Sequence, residues 1–141
     1  MSHKLKVVFD TNIYISAILF GGNPRQILEL ARKKEIKLFV SKSILLEIAL
    51  KLRVKFDWEE YEIQEVIKGI SKFAKVVSPK KKIKLIKDDK DDNAILECAL
   101  EGEVEMIITG DKKHILPLGK FKDIFILSAN QFLDIFYQKD N

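Results

Sequence analysis

Two rhythms of apolar residues alternate along this chain. Leu5 to Phe9 is a short, mostly apolar run without helical period, which predicts a strand buried on both faces and ending at Asp10. Thr11 or Asn12 can then cap a helix over Ile13 to Phe20 that Gly21 and Gly22 end. Pro24 suits the first turn of the next helix, through about Lys33. Lys37 to Ser41 predicts a second strand, and Ser41 or Ser43 a cap for a helix carrying Ile44, Leu45, Ile48 and Leu52 at helical spacing. Trp58 to Ala74 reads as a further helix, Val76 and Val77 as a brief strand, and Ser78-Pro79 as a turn. A charged connector, Lys80 to Asp92, leads to a helix at Asp91 to Glu101. Strands at Met106 to Thr109 and Ile124 to Leu127 follow, with a last helix near Ala129 to Tyr137. Strands alternating with helices imply an α/β fold with a largely parallel central sheet, whose working edge is the carboxyl end of its strands.

Composition narrows this picture. A length of 141 residues suits one domain, residues 1–141, and 47% apolar with 33% charged residues is the make-up of a globular protein. The net charge of +4 favours an anionic partner such as nucleic acid. The single Cys98 has no partner for an internal disulfide or a cysteine zinc site. No stretch approaches about eighteen uninterrupted apolar residues, and Asp10 breaks the first apolar run too early for a signal-peptide core. The expectation is a cytoplasmic protein without a membrane segment.

The chemistry concentrates in carboxylates. Val7-Val8-Phe9-Asp10 and Ile107-Ile108-Thr109-Gly110-Asp111 end alike, so in a parallel sheet Asp10 and Asp111 lie on one edge. Taken singly, each could simply cap the helix that follows. Glu47 stands between Ile44 and Ile48 and borders the buried stripe, where its plainer role is a pair with Lys51 at i+4. Asp92 heads a stripe of Ile95, Leu96 and Ala99, which turns it inward, although a first-turn acid is also ordinary helix chemistry. Four carboxylates gathered on one edge repel one another, and a divalent cation relieves that repulsion. Oxygen-only donors point to Mg²⁺ or Mn²⁺ in preference to zinc. Such an ion ionises water and neutralises transition-state charge, which is the chemistry of phosphodiester hydrolysis.

DTNIYIS at 10–16, Glu47 in a helix after a short strand, DDNAILECAL at 91–100 and TGDKKHIL at 109–116 resemble, in order and spacing, the four acidic motifs of PIN-domain nucleases. ILSANQFLDIF at 126–136 resembles that family's last strand and helix, so the likeness spans essentially the whole chain. The resemblance implies a three-layer α/β/α sandwich and a Mg²⁺- or Mn²⁺-dependent endoribonuclease selective for single strands. Small VapC-type members are the toxin half of toxin–antitoxin pairs, so it also implies a homodimer inhibited by a cognate antitoxin. The family's catalytic and metal-binding acids fall on Asp10, Glu47, Asp92 and Asp111, with Thr11, Asn12 and Thr109 as supporting polar residues. Where some relatives carry an acid two residues after the TGD aspartate, this chain has Lys113, which weakens the case for a second metal and offers a phosphate contact instead.

Arg25 at a helix start and Lys112 and Lys113 beside the acids are further candidates for substrate contact. Lys80, Lys81, Lys82, Lys84 and Lys87 could follow an RNA backbone, or form a solvated loop balanced by Asp88, Asp89, Asp91 and Asp92. His3 and His114 are poor material for a two-histidine acid–base mechanism, and Cys98 reads as a small buried hydrophobe. The alternatives are a PIN-fold binding module without catalysis, an RNA-maturation nuclease, and an aspartyl-phosphate phosphatase. The four acids argue against the first, and Asn12 in place of a second aspartate against the last. Adjacent helix residues point about 100° apart, so Asp91 and Asp92 cannot address one ion equally. Asp92 is the expected ligand and Asp91 the expected helix cap.

Overall fold

The computed structural model describes residues 3–85, 90–111 and 115–138. Within them, strands β1 (Lys6–Phe9), β2 (Lys37–Ser41), β3 (Lys75–Val77), β4 (Met106–Ile108), β5 (Lys120–Phe121) and β6 (Ile124–Leu127) form one sheet in the order β3-β2-β1-β4-β6-β5. Every pairing is parallel except that of β5 with β6. The helices are α1 (Thr11–Leu19), α2 (Gly22–Arg32), α3 (Lys42–Phe56), α4 (Glu60–Phe73), α5 (Lys90–Glu101) and α6 (Ala129–Gln138).

The central position of β1 explains its composition. Val7, Val8 and Phe9 are fully buried, as a parallel strand covered on both faces requires. On one face Tyr14 of α1 packs against Phe9 at 5.5 Å between ring centroids. Val8 and its register partner Phe39 point to the opposite face, since side chains alternate along a strand. There α5 lies against β1 and β2, and a Cβ at Gly102, just past its end, would come within 2.9 Å of the Phe39 ring. Helices therefore cover both faces, and the architecture is the three-layer α/β/α sandwich expected from the sequence. Among the described residues no helix is long and apolar enough to cross a membrane.

Several element ends differ from the sequence reading, each for a local reason. Asp10, not Thr11 or Asn12, holds the cap position of α1, so that helix starts at Thr11. Gly21 separates the first two helices and Gly22 opens the second, both with the positive φ that glycine adopts without strain. A capping box between Glu59 and Glu62 starts α4 at Glu60 and leaves Trp58 outside it. Helix α5 begins at Lys90, which makes Asp91 its second residue and corrects the expectation that Asp91 caps it. The cap position falls outside the described residues. The two-residue β5 and the 3-10 turn at Leu116–Leu118 carry no periodic signal that the sequence pattern could reveal. His3, expected in a frayed end, meets Glu105 at 2.7 Å.

Candidate functional site

Parallel pairing brings the carboxyl ends of β1, β2 and β4 to one edge, and each delivers a candidate residue there. Asp10 follows β1 directly, Thr109 and Asp111 follow β4, and β2 runs into α3, which carries Glu47. The amino end of α5 arrives at the same edge with Asp91 and Asp92. A cleft of about 530 Å³ is lined there by Asn12, Glu47, Lys51, Asp91, Asp92 and Asp111, with Leu50, Val54 and Lys55 on its rim.

Asp10 stands at the cap position of α1 and is also tied to the loop after β4. Its backbone takes the extended conformation of a helix cap, and the backbone N–H of Asn12 at the start of α1 stabilises its charge only weakly compared with its other partners. The carboxylate accepts a hydrogen bond from the Thr109 hydroxyl at 2.6 Å, and the same Thr109 oxygen accepts from the backbone N–H of Asp111 at 2.9 Å. Thr109 is thus a bridge that fixes the first acid and the loop of the last. Asp10 is 5% exposed. Burial raises its pKa; the Thr109 bond and the Lys51 ammonium oppose the rise, and Asp111 adds to it.

Glu47 is the second strained acid. Burial raises its pKa and the neighbouring Asp91 raises it further, both by charge and by a side-chain hydrogen bond, while Lys51 opposes the rise. The pair with Lys51 expected at i+4 is present at 3.6 Å, and the Lys51 ammonium also donates to Asn12 Oδ1 at 2.9 Å. From sequence, Lys51 is visible only as a salt-bridge partner. Its position facing both Asp10 and Glu47 makes it part of the site, a role that spacing along one helix could not reveal.

Asp111 thus acts on Asp10 and Asp91 on Glu47, and Lys51 acts on both Asp10 and Glu47. Asp92 lines the same cleft and is half-buried. The donor set fits a hard divalent cation: it is all oxygen, and neighbouring acids add to the raised pKa of both Asp10 and Glu47. Among the described residues, no three His, Cys, Asp or Glu side chains stand in an arrangement that could hold a metal ion. Thr11 is buried, and Asn12 is exposed in the cleft.

The remaining candidates lie elsewhere. Arg25 ties the end of α1 to α2, its Nε donating to the Ala17 carbonyl at 2.8 Å and its Nη2 to that of Ile18 at 3.2 Å. It does not line the acid cleft. Lys112, Lys113 and His114 lie outside the described residues. Cys98 is buried, and burial pushes its thiol up to about 12 against a hydrogen bond with Ser41, so it is the inert hydrophobe expected.

Residues 6–113 match the sequence profile of the PIN domain. The chain is 36% identical over 118 residues to the uncharacterized protein MJ1680 of Methanocaldococcus jannaschii, an alignment covering 79% of this chain and 74% of that one. Its fold is similar to a chain in the crystal structure of VapBC2 from Rickettsia felis bound to a DNA fragment from their promoter. That match has a TM-score of 0.63 and 14% identity, and covers 88% of this chain and 98% of the other.

Proposed function

The chain belongs to the PIN-domain family, whose members are generally nucleases, and on that premise we propose that it is a Mg²⁺- or Mn²⁺-dependent endoribonuclease of single-stranded RNA. The observation that carries this reading is Asp10, a buried carboxylate at the carboxyl end of β1 that the Thr109 hydroxyl holds beside Asp111, next to the cleft lined by Glu47, Asp91, Asp92 and Asp111. Asp10, Glu47, Asp92 and Asp111 would hold the ion, with Thr11, Asn12 and Thr109 supporting them. When bound, the ion supplies an ionised water at neutral pH and neutralises charge on the phosphoryl oxygens. The protein's own part is to orient the acids. Thr109 fixes the Asp10 oxygen, Lys51 holds Glu47 and Asn12, and Asp91 presses on Glu47 so that its charged form favours a cation. Lys112 and Lys113 follow Asp111 in sequence and are candidates for the phosphate.

The likeness to the VapBC2 chain supports a narrower role as the toxin of a toxin–antitoxin pair, acting in the cytoplasm and held in check by a cognate antitoxin. A nuclease of RNA maturation is the competing role, and a short reading frame overlapping the gene would favour the toxin. A homodimer belongs to the first reading. Leu46, Leu50 and Val54 form an apolar stripe on the solvent side of α3, 49–70% exposed, which a second copy could cover.

Cleavage of labelled single-stranded RNA by purified protein with Mn²⁺, abolished by chelator and by Asp10→Asn, tests the activity. Cleavage that persists in chelated protein would point to another mechanism. Loss of cleavage with retained RNA binding in the parent itself would favour a binding module.

A further inference from the structure

A second hollow, of about 730 Å³, lies at the opposite edge of the sheet, where Lys4, Lys6, Lys34, Lys37 and Lys75 surround the ring of Phe39. Its charge is built into the sheet. Lys6 and Lys37 are direct register partners on β1 and β2, so their side chains leave the same face about 4.8 Å apart at the backbone. Lys75 is the register partner of Phe39 on the next strand and leaves that face too. Like charges placed side by side on a sheet are destabilising. Lys6 finds some relief over the Phe39 ring at 5.2 Å. Among the described residues, none of the five ammonium groups is in an ion pair. Glu101 and Glu103 also border the hollow, but Glu101 is engaged by the backbone N–H of Lys80 at 3.1 Å.

That contact starts a basic path towards the acids. Residues 80–83 of the connector after β3 are pinned along α5, first at Glu101 by the Lys80 N–H and then, one turn nearer the helix start, at Glu97 by the Ile83 N–H at 2.9 Å. The connector carries Lys80, Lys81, Lys82 and Lys84 on exposed positions. Helix α5 has 12 residues, about 18 Å of length, and runs from the acid cleft at its first turn to the lysine hollow at its end. The connector and the hollow thus line one side of the molecule, leading away from the carboxylates.

We infer that the hollow and connector form a phosphate-binding track for the stretch of RNA that flanks the cleaved bond. This rests on the ribonuclease reading for the identity of the strand, though not for its polyanionic chemistry. The track makes no base-edge readout; it holds longer strands through their backbone, so affinity should rise with length and fall steeply with salt.

The test uses the full chain carrying Asp10→Asn, in chelator, with fluorescent single-stranded RNA in a short and a long form, titrated across salt. One variant adds Lys34→Gln, Lys37→Gln and Lys75→Gln; another adds Lys80→Gln, Lys81→Gln and Lys82→Gln. A control removes the same charge elsewhere, by Lys68→Gln, Lys72→Gln and Lys122→Gln. Melting curves establish that all are folded. Each track variant should bind long RNA about ten-fold more weakly and flatten its log–log salt slope by about two, since each phosphate contact on a single strand contributes about 0.7. The control should keep the parent slope. Unchanged slopes in the folded track variants, or equal loss in the control, would overturn the track. If those losses occur but the protein with Asp10 intact and Mn²⁺ cuts no RNA, the track stands and the nuclease reading falls. If it cuts RNA and the slopes do not move, the reverse holds.

Discussion

Burial raises the Asp10 pKa and Asp111 adds to the rise, so the metal-free native state holds this proton more tightly than the unfolded chain does. As pH climbs from below the unfolded value through the raised native one, the unfolded chain releases its proton first and native stability falls. Asp10→Asn removes that contribution. In chelator, the melting temperature of the parent should therefore drop more steeply across the carboxylate range than that of the variant; matching slopes would show that Asp10 carries no such strain. Glu47 is shifted in the same direction, first by burial and then by Asp91, and adds to the slope in both proteins. Mn²⁺ should reverse the effect in the parent, by about 2.7 kcal/mol at a hundred times its Kd, and do much less in Asp10→Asn. Asp10 and Asp111 were legible in the sequence because they end two matching apolar runs. Lys51 and Thr109 as groups acting on Asp10 were harder to see, since one lies on another helix and the other reaches Asp10 across 99 positions.

At the level of elements, the strands were readable wherever a short apolar run stood between turn residues, and β2 falls where the pattern put it, at Lys37–Ser41. Register at helix starts was less readable, because a cap depends on where the chain leaves the sheet and not on residue type alone. Helix α5 shows the consequence. Its start at Lys90 puts Asp91 inside the first turn, with its carboxyl against Glu47, and Asp92 one position further along the cleft. Asp92 remains our choice of ligand, heading the stripe of buried Ile95, Leu96 and Ala99, and Asp91 becomes the group that positions Glu47. Asp92→Asn should abolish metal-dependent cleavage with little change in melting temperature. Asp91→Asn should cost about 10–100-fold, the usual effect of a group behind a ligand, and should change the metal concentration needed for half-activity. If Asp91→Asn is dead and Asp92→Asn active, the two roles are exchanged.

Among the described residues, the cleft at the carboxyl ends of the strands is lined by four acids with Lys51 and Lys55, and the hollow at the amino ends by five lysines with Glu101 and Glu103, with α5 spanning the two. The net charge of +4 gave no hint of this distribution, because it averages over both edges. The exposed stripe on α3 was equally hidden, since a helix with apolar residues on two sides reads from sequence as one broadly buried helix. Sedimentation should show a homodimer at about tens of micromolar, where a micromolar dimer is well populated, and Leu46→Glu should shift it to monomer; a parent that stays monomeric there rejects the dimer. The order β3-β2-β1-β4-β6-β5 has one more consequence. β1, made first, waits for β4 to fill the place between it and β6, and only then does Thr109 reach Asp10. On the ribosome, a growing chain that has already formed β1, β2 and β3 still lacks the bridge and the last acid. The proposed site would thus be assembled only after the chain has been made past residue 111, so its completion is tied to the late strands and not to the early ones.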